Sequence, residues 1–372
     1  MERISLIALV FMLFITGCRK DKPAPTAPDG DLTDIPYNPV DFELIVPCEF
    51  PEMEIPADNP LTIDGVELGR FLFWDPILSA DNTMSCGSCH FPSGGFADNL
   101  PVSTGIDGIA GRRSSMALVN VGYFYNGLFW DGRAATLEDQ ALLPVEDPIE
   151  LHHKWPDVVN ELKVHDTYPT MFRKAFGISN TAEITKELTA KAIAQFERTM
   201  VSSGQSKYDR ERCDAGVFFT PDELDGLVLF SNELGNHPGC THCHSSSNLL
   251  FTNNNYENNG IDSVGPEVSD LTKFTDLGQG EVTGDVFDNG KFRIPSLRNI
   301  MLTSPYMHDG RFNTLGEVLD HYKTGGFTAA NSSANQTEFP LSEDDKEKII
   351  IFLQTLNDTT FLNNPAFSDP FN

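Results

Sequence analysis

The sequence predicts a mainly α-helical protein with two similar domains in tandem, and three observations support this fold class. Apolar residues recur on one helical face in several stretches, and a helix over residues 183–201 carries such a stripe at Ile184, Leu188, Ala192 and Phe196. Strand signals are sparse. The string Asp-Gly-Arg-x-x-Thr-Leu occurs at residues 131–137 and again at 309–315, which indicates an internal duplication. With 372 residues, 40% of them hydrophobic, the chain can bury two separate cores.

The N-terminus has the pattern of an export signal. Arg3 precedes an apolar run, Ile4–Ile15, that is too short to span a bilayer and fits the core of a signal peptide. The run ends in a small residue followed by Cys18, which resembles a bacterial lipoprotein box. We expect a lipoprotein signal peptide over residues 1–17 and a lipid on Cys18, with an ordinary secretory signal as the alternative. The first interpretation places the protein in the periplasm, attached to a bacterial membrane by its lipid alone.

The remaining chain divides into a tether and two domains. Residues 18–45 are rich in Pro and Asp and lack helical periodicity, so they predict a tether. We expect an N-terminal domain over residues 46–205 and a C-terminal domain over 206–372. Capping patterns predict helix starts after Thr136, Thr220, Thr314 and Ser342.

A Cys-x-x-Cys-His motif occurs in each half. Its residues are Cys86, Cys89 and His90 in the first half and Cys240, Cys243 and His244 in the second. This spacing is typical of c-type haem attachment, because residues three and four apart share one face of a helical turn. Two thiols then reach the porphyrin and the imidazole reaches the iron. A structural zinc site and a thioredoxin-like redox pair are the alternatives. A zinc site would need four ligands from two such pairs, and it would not require a His directly after each pair. We predict two covalently bound haem c groups in two cytochrome c-like haem domains.

Cysteine usage and charge bound the function further. Of the seven cysteines, Cys18 and the four motif cysteines are assigned, which leaves Cys48 and Cys213. A disulfide between them fits an oxidising compartment, although the sequence does not show whether they are close. The formal charge of -28 argues against nucleic acid and against adhesion to anionic lipid headgroups. A cationic electron-donor protein could be steered to such a surface.

Two haems in one chain allow two classes of function. In an electron carrier both irons have six ligands, whereas in an enzyme one iron keeps an open position for a small oxidant. The discriminating feature is a distal side that lacks an iron ligand and offers a carboxylate.

Several strings in order resemble one family, the bacterial di-haem cytochrome c peroxidases, which include the enzyme that matures methylamine dehydrogenase. The strings are Leu72-Phe73, Asp75-Pro76, Leu78-Ser79, the first haem motif, Phe129–Arg133, Pro295–Asn299 and His308–Arg311. The resemblance spans about residues 60–360.

The resemblance implies a role for each matching residue. His90 would be the proximal ligand of the peroxidatic haem, and His244 that of the electron-transfer haem. Trp130 matches the tryptophan that bridges the two haems, with a buried core indole as its alternative. Glu150 matches the distal glutamate, which takes a proton from bound hydrogen peroxide and returns it to the departing oxygen. Gln140 and Pro144 match further positions of the distal pocket.

The chain departs from the family pattern at the second haem and at a metal site. The family's methionine position falls on Tyr322, a ligand that would favour ferric iron. His321, Met301 or Met307 are the alternatives. The family also holds calcium between its domains, and the matching positions are Ser114 and the carbonyls of Arg293 and Pro295. Ser114 replaces an Asn there, so calcium rests on the resemblance alone.

A third departure concerns the first haem. Peroxidases of the family carry a histidine in the loop after the first motif, which blocks the iron until the other haem is reduced. Here Ile106 and Asp107 stand in that loop, and no histidine lies between His90 and His152. We expect an open first haem, with His152 or His153 as the groups that could close it.

The interpretation is a di-haem cytochrome c peroxidase that reduces hydrogen peroxide to water. Electrons from a small cytochrome or cupredoxin would enter at the C-terminal haem and pass to the N-terminal haem. A di-haem oxidase of a protein or organic substrate is the second interpretation, and a simple di-haem electron carrier is the third. A homodimer remains open.

Overall fold

The computed structural model describes residues 30–202, 204–213, 215–231, 239–247 and 249–371. The predicted signal peptide, Cys18 and the first part of the predicted tether lie outside the described residues.

Helices dominate the described chain, as predicted, and one small antiparallel sheet joins two short strands. The helices are α1 (Ile63–Trp74), α2 (Cys86–Cys89), α3 (Leu137–Glu146), α4 (Trp155–Val164), α5 (Tyr168–Phe176), α6 (Lys186–Arg198), α7 (Lys207–Arg212), α8 (Pro221–Ser231), α9 (Gly280–Thr283), α10 (Leu315–Lys323) and α11 (Glu343–Gln354). The strands are β1 (Tyr256–Glu257) and β2 (Phe292–Arg293). Short 3₁₀ turns connect many of them.

Helices α1 and α6 form the central crossing of the first half. Thr62 caps α1 by accepting from the Gly65 amide. Gly69 allows the close approach of the two helices, because a Cβ atom there would lie 1.9 Å from the Ala192 carbonyl oxygen. Phe73 and Phe196 complete the contact with ring centroids 5.3 Å apart. The crossing positions α2 and the first haem motif beside both helices.

Helices α8 and α11 make the corresponding crossing in the second half. A Cβ atom on Gly226 would lie 2.0 Å from the Lys348 carbonyl oxygen. Phe230 and Phe352 pack with centroids 5.3 Å apart. Each half therefore uses a glycine and a phenylalanine pair at its main helix crossing.

The N-terminal segment of the chain packs against the second half, and the C-terminal segment packs against the first half. We call residues 44–55 the N-terminal strap and residues 359–371 the C-terminal tail. Phe50 and Met53 of the strap belong to the apolar cluster that contains Phe230 and Phe352 of the second half. The structure joins Cys48 of the strap to Cys213 as a disulfide, with Cα atoms 6.2 Å apart.

The C-terminal tail packs in the opposite direction. Phe361 and Phe367 lie in a cluster with Phe96 and Phe196 of the first half, and Arg70 of α1 donates to the Ser368 carbonyl at 2.8 Å. The apolar residues of each terminal segment are thus buried in the other half, and the boundaries at 46–205 and 206–372 stay a prediction.

The predicted tether is also partly docked. Leu32 is buried in the first half's core, and its amide donates to the Ser179 carbonyl at 2.9 Å. The Phe42 amide donates to the Leu61 carbonyl at 3.0 Å. Pro and Asp content predicts a tether, but it does not show that the few apolar side chains of this segment pack against the first half.

Among the residues that the structure describes, no helix combines the length and apolarity needed to cross a bilayer.

Candidate functional site

The first haem motif lies on α2, a single helical turn. The Ser85 side chain and backbone exchange hydrogen bonds with Ser88, a capping box that starts this turn. The His90 ring is fixed by a contact between Nδ1 and the Phe96 carbonyl oxygen at 2.8 Å. A metal-binding histidine usually donates its other ring N–H to a carbonyl oxygen in this way. With the proton on Nδ1, Nε2 is the ring atom that would bind the iron.

A cavity of about 660 Å³ opens on this motif. It brings together nine of the residues predicted from the sequence: Cys86, Cys89, His90, Ser114, Trp130, Gln140, Pro144, Glu150 and Arg293. Its volume is in the range that proteins use for cofactors. Burial raises the pKa of both motif thiols, that of Cys89 to about 11, so they stay neutral at ordinary pH. The cavity, its two thiols and the oriented imidazole fit a covalently attached haem.

The end of α3 positions Glu150. Pro144 lies inside this helix and cannot donate to the Gln140 carbonyl, which loosens the last turn. The chain then folds back, with the Glu150 amide donating to the Asp147 carbonyl at 3.0 Å. Gly105 packs directly beneath, since a Cβ atom there would lie 2.5 Å from the Glu150 carbonyl oxygen.

The environment of Glu150 changes its acidity. Burial raises the pKa of its carboxyl to about 7, with Asp147 adding to the shift and Arg133 opposing it. A carboxyl with this pKa holds and releases a proton near neutral pH, as a general acid–base group must.

Trp130 lies between the two halves. Its indole N–H donates to the Ser114 carbonyl at 3.0 Å, and its own carbonyl accepts from the Arg293 amide on β2 at 2.8 Å. Arg113 adds a buried ionic link from the first half, at 2.5 Å to Asp131 and 2.7 Å to Asp276 of the second half. The tryptophan is therefore held from both sides.

The loop after the first motif offers no histidine to the cavity, and the two later histidines are engaged elsewhere. His152 Nδ1 lies 2.5 Å from an Asp107 carboxylate oxygen, and its side chain is half exposed. His153 accepts from the Lys154 amide through Nδ1 at 2.9 Å, and its Nε2 lies 3.5 Å from Glu161. Asp107 of this loop is thus the contact of the His152 ring.

The second motif repeats the histidine contact of the first. His244 Nδ1 lies 3.1 Å from the Phe251 carbonyl oxygen. Phe96 and Phe251 both have positive φ angles, +60° and +53°, which turn each carbonyl toward its histidine. Burial raises the pKa of Cys243 to about 11 and also raises that of Cys240.

Tyr322 lies close enough to this second motif to interact electrostatically with both of its thiols, and burial raises the pKa of its phenol to about 12. The Asn259 amide lies 3.4 Å from the phenol oxygen and 3.5 Å from the Met307 sulfur. His321 Nε2 lies 2.9 Å from the Asn259 carbonyl oxygen, so this ring nitrogen is already hydrogen-bonded. Met301 packs against the second half's apolar cluster. Of the four candidates for the sixth ligand of the second haem, His321 and Met301 thus have other contacts, while Tyr322 and Met307 both lie beside the Asn259 amide.

Comparison with known proteins identifies the chain. The sequence model described as di-haem cytochrome c peroxidase matches residues 64–214. The methylamine utilization protein MauG of Methylorubrum extorquens is 34% identical over 303 residues, which is 81% of this chain and 80% of that protein. This chain belongs to the di-haem cytochrome c peroxidase family.

Further relatives are named either as cytochrome c peroxidases or as MauG-like proteins. The cytochrome c551 peroxidase of Nitrosomonas europaea is 34% identical over 82% of this chain and 84% of its own. A crystal structure described as a MauG-like protein associated with microbial copper homeostasis has a TM-score of 0.80 and 32% identity, and it covers 89% of this chain and all of its own. The predicted family is confirmed, and family membership implies haem cofactors.

The calcium site of the di-haem peroxidases stays a prediction. The Ser114 hydroxyl donates to the Met307 carbonyl at 3.1 Å, and its amide donates to the His308 carbonyl at 2.7 Å. In the part of the chain that the structure describes, no group of three or more His, Cys, Asp or Glu side chains could hold a metal ion.

Sequence reasoning missed Glu197, a buried ionisable residue of this cavity. Glu197 of α6 lines the cavity, and its side chain is only 4% exposed. The available signal was its position four residues after Ile193, on the flank of the apolar stripe, where a surface glutamate is not expected.

Proposed function

We propose that this chain is a cytochrome c peroxidase that reduces hydrogen peroxide to water. Electrons from a small redox protein enter at the C-terminal haem and pass to the N-terminal haem. The observation that carries the proposal is the first cavity, which collects Glu150, Gln140 and Trp130 around the Cys86–His90 motif. No family resemblance is needed to see that this arrangement joins a redox site to an acid–base group.

The haem supplies the electron transfer chemistry when bound. The protein's part is proton movement: the Glu150 carboxylate would take a proton from one oxygen of hydrogen peroxide bound in the cavity. It would then return that proton to the other oxygen as the O–O bond breaks. Overall, one hydrogen peroxide, two electrons and two protons give two water molecules.

Trp130 is proposed to carry electrons between the halves. Its ring lines the first cavity, while its backbone is bonded to β2 of the second half. Its partly buried N–H bond to Ser114 holds the ring in one orientation, which a bridging group requires.

The second half is proposed to bind the electron-transfer haem through Cys240, Cys243 and His244. Tyr322 is its proposed sixth ligand, supported by its place beside the motif and by the engagement of His321 with Asn259. The electron donor is proposed to be a small cytochrome or cupredoxin, and the charge of -28 favours a cationic one. The proposed location is the periplasm, with a lipid on Cys18.

The two halves are further proposed to derive from an internal duplication. Their central helix crossings correspond, and so do their histidine contacts. An isolated bridge joins Leu128 to Ala134 before α3, and another joins Tyr306 to Phe312 before α10, with the same spacing.

A second candidate function is oxidation of a protein or organic substrate through the second haem, as in the branch that matures methylamine dehydrogenase. The observation that favours it is Tyr322, since a phenolate ligand stabilises oxidised iron. Two MauG relatives, 34% and 31% identical to this chain, also support this second candidate.

The test is steady-state turnover by the full-length, haem-loaded protein. A c-type spectrum in alkaline pyridine should first give two haems per chain. With a reduced small cytochrome as donor, hydrogen peroxide should then be consumed at one peroxide per two donor molecules. Turnover of this stoichiometry supports the peroxidase. Accumulation of an oxidised enzyme that accepts electrons only from an organic or protein substrate would instead favour the second candidate.

A further inference from the structure

Glu197 is a buried carboxyl group in the first cavity that the proposed reaction does not use. Its side chain is 4% exposed, and its Oε2 atom has no hydrogen-bond partner. The residue lines the same cavity as Glu150 and the first motif. A carboxylate in this position would carry a charge without a bonded counter-ion, which is costly in a buried site.

The neighbouring cation does not neutralise Glu197. Arg198 forms a two-bond ion pair with Glu138 of α3, at 2.7 Å and 2.9 Å. Burial raises the pKa of the Glu197 carboxyl to about 8; Arg198 lowers it and Glu138 raises it. The carboxyl is therefore largely protonated at neutral pH.

Glu197 lies next to the attachment point of the first haem. Among the ionisable groups that raise the pKa of the Cys86 thiol, Glu197 acts most strongly, ahead of Cys89 and Glu150. One helical turn earlier, Ile193 lines the same cavity. Glu197 thus lies near the thiol that would hold the haem, in the cavity that Glu150 also lines.

We propose that Glu197 is a redox-linked proton site of the first haem, protonated while that haem is reduced and deprotonated when it is oxidised. The inference rests on the proposed function only in that a haem occupies the cavity. When the first haem gives one electron to a redox mediator, Glu197 would release one proton to solvent, so the net charge of the cavity would be unchanged.

The physical reason is charge compensation in a medium of low dielectric constant. Oxidation would add one positive charge to a cavity that both apolar and charged side chains line, and a nearby carboxylate offsets that charge at short range. The groups facing Glu197 are Arg198 on its own helix, Glu138 from α3 and Cys86 from α2. Helix α1 packs against α6 through Gly69 and Phe73, which do not titrate.

The test is the midpoint potential of the first haem as a function of pH in the haem-loaded protein. Because Glu150 also titrates near neutral pH, the comparison uses Glu150→Gln as the background. In that background the ratio of oxidised to reduced haem at fixed potential should change tenfold per pH unit between the pKa values that Glu197 has in the oxidised and in the reduced protein, which is 59 mV for a one-electron couple. Adding Glu197→Gln should remove this dependence, whereas adding Glu187→Gln, an exposed site on the same helix, should leave it.

A flat pH profile in the Glu150→Gln protein, or the same slope after Glu197→Gln, would overturn the proposal. In either case another group, or none, exchanges the proton. Neither result bears on peroxide turnover, so failure of this inference is distinct from failure of the proposed function.

Thermal unfolding gives a second readout that does not depend on electron transfer. The folded pKa of Glu197 lies above its unfolded value, so its contribution to stability is present at low pH and is lost as pH rises through about 8. Wild type should therefore lose stability relative to Glu197→Gln between pH 5 and pH 8. Parallel unfolding curves across that range would show that Glu197 does not hold a proton in the fold.

Discussion

Glu150 differs from a surface glutamate because its carboxyl group is largely buried. Pro144 and the turn after α3 place it in the first cavity, and burial raises the pKa of its carboxyl to about 7. A proton acceptor must be ionised, so the active fraction falls as pH drops below about 7. We expect the rate of reaction with peroxide to fall about tenfold per pH unit there.

Replacing Glu150 with Gln keeps the shape of the side chain and removes the proton acceptor. Peroxide turnover should fall by roughly 10²–10⁴, because general acid–base catalysis contributes a factor of this size. The matched control is Glu146→Gln, at an exposed position at the end of α3, four residues before Glu150, which should retain turnover. Activity of Glu150→Gln within about threefold of wild type would remove this residue from the mechanism.

Trp130→Phe tests the proposed bridge. The variant loses the N–H bond to Ser114 and the more easily oxidised indole ring. Peroxide should still oxidise the first haem, whereas electron transfer from the second haem should slow, as followed by rapid-mixing absorption spectra. Trp155→Phe is the control, because that indole is buried outside the cavity and donates to the Leu142 carbonyl. Equal transfer rates in both variants would assign Trp130 a structural role only.

At the scale of elements, each half depends on one close helix crossing. Gly69→Ala adds a Cβ atom 1.9 Å from the Ala192 carbonyl oxygen, a backbone atom that cannot rotate away. Alanine is a better helix former than glycine by up to about 1 kcal/mol. The steric clash should exceed this gain and lower the free energy of unfolding by about 1–3 kcal/mol.

The control for this prediction is Gly316→Ala in α10. Its new Cβ atom would meet only the Thr314 hydroxyl oxygen, at 3.7 Å. Denaturant unfolding should show Gly316→Ala unchanged or slightly stabilised. Equal stability of the two variants would mean that the crossing at Gly69 adjusts freely.

The exchanged terminal segments are a second element-scale feature. The disulfide between Cys48 and Cys213 closes a long loop and attaches the strap to the second half. Replacing both cysteines with Ser should lower the free energy of unfolding by about 2–4 kcal/mol. Dithiothreitol should lower the melting temperature of wild type to that of the double variant and leave the variant itself unaffected. An effect of dithiothreitol on the variant would point to a different reducible group.

For the molecule as a whole, the two halves share a backbone plan and differ at the distal side of their haem sites. The described loop after the first motif holds His152 by Asp107, whereas the second motif faces Tyr322. We expect a resting ferric protein with a high-spin first haem, bound by His90 and water alone. Electron paramagnetic resonance should show this signal without prior reduction of the other haem. Two low-spin signals with no high-spin component would contradict it, and His152→Ala would then show whether that histidine closes the site.

Contacts between the halves determine whether the two haem sites act together. Asn99 of the first half donates to the carbonyls of Leu302 and Ser304 at 2.7 Å and 2.8 Å. Arg113 and Trp130 add an ionic and a backbone link across the same boundary. These links join residues far apart in sequence, so the proposed electron path depends on the packing of the whole molecule.

The sequence by itself determined what local spacing can encode. The Cys-x-x-Cys-His motifs, the capping residues and the helical stripes each depend on neighbours within a few positions, and the structure contains the predicted helices at Thr136, Thr314 and Ser342. Their positions relative to the family motifs also identified Glu150, Gln140 and Trp130 as candidates, and the structure places all three in one cavity with His90.

Only the tertiary structure decided which distant groups meet. The exchange of the N-terminal strap and the C-terminal tail, the contact of Asp107 with His152, and the burial of Glu197 all depend on surfaces more than 40 residues apart in the chain. Burial also set the acidity of Glu150 and Glu197, because the cost of a charge depends on the dielectric environment that folding creates and not on the residue type.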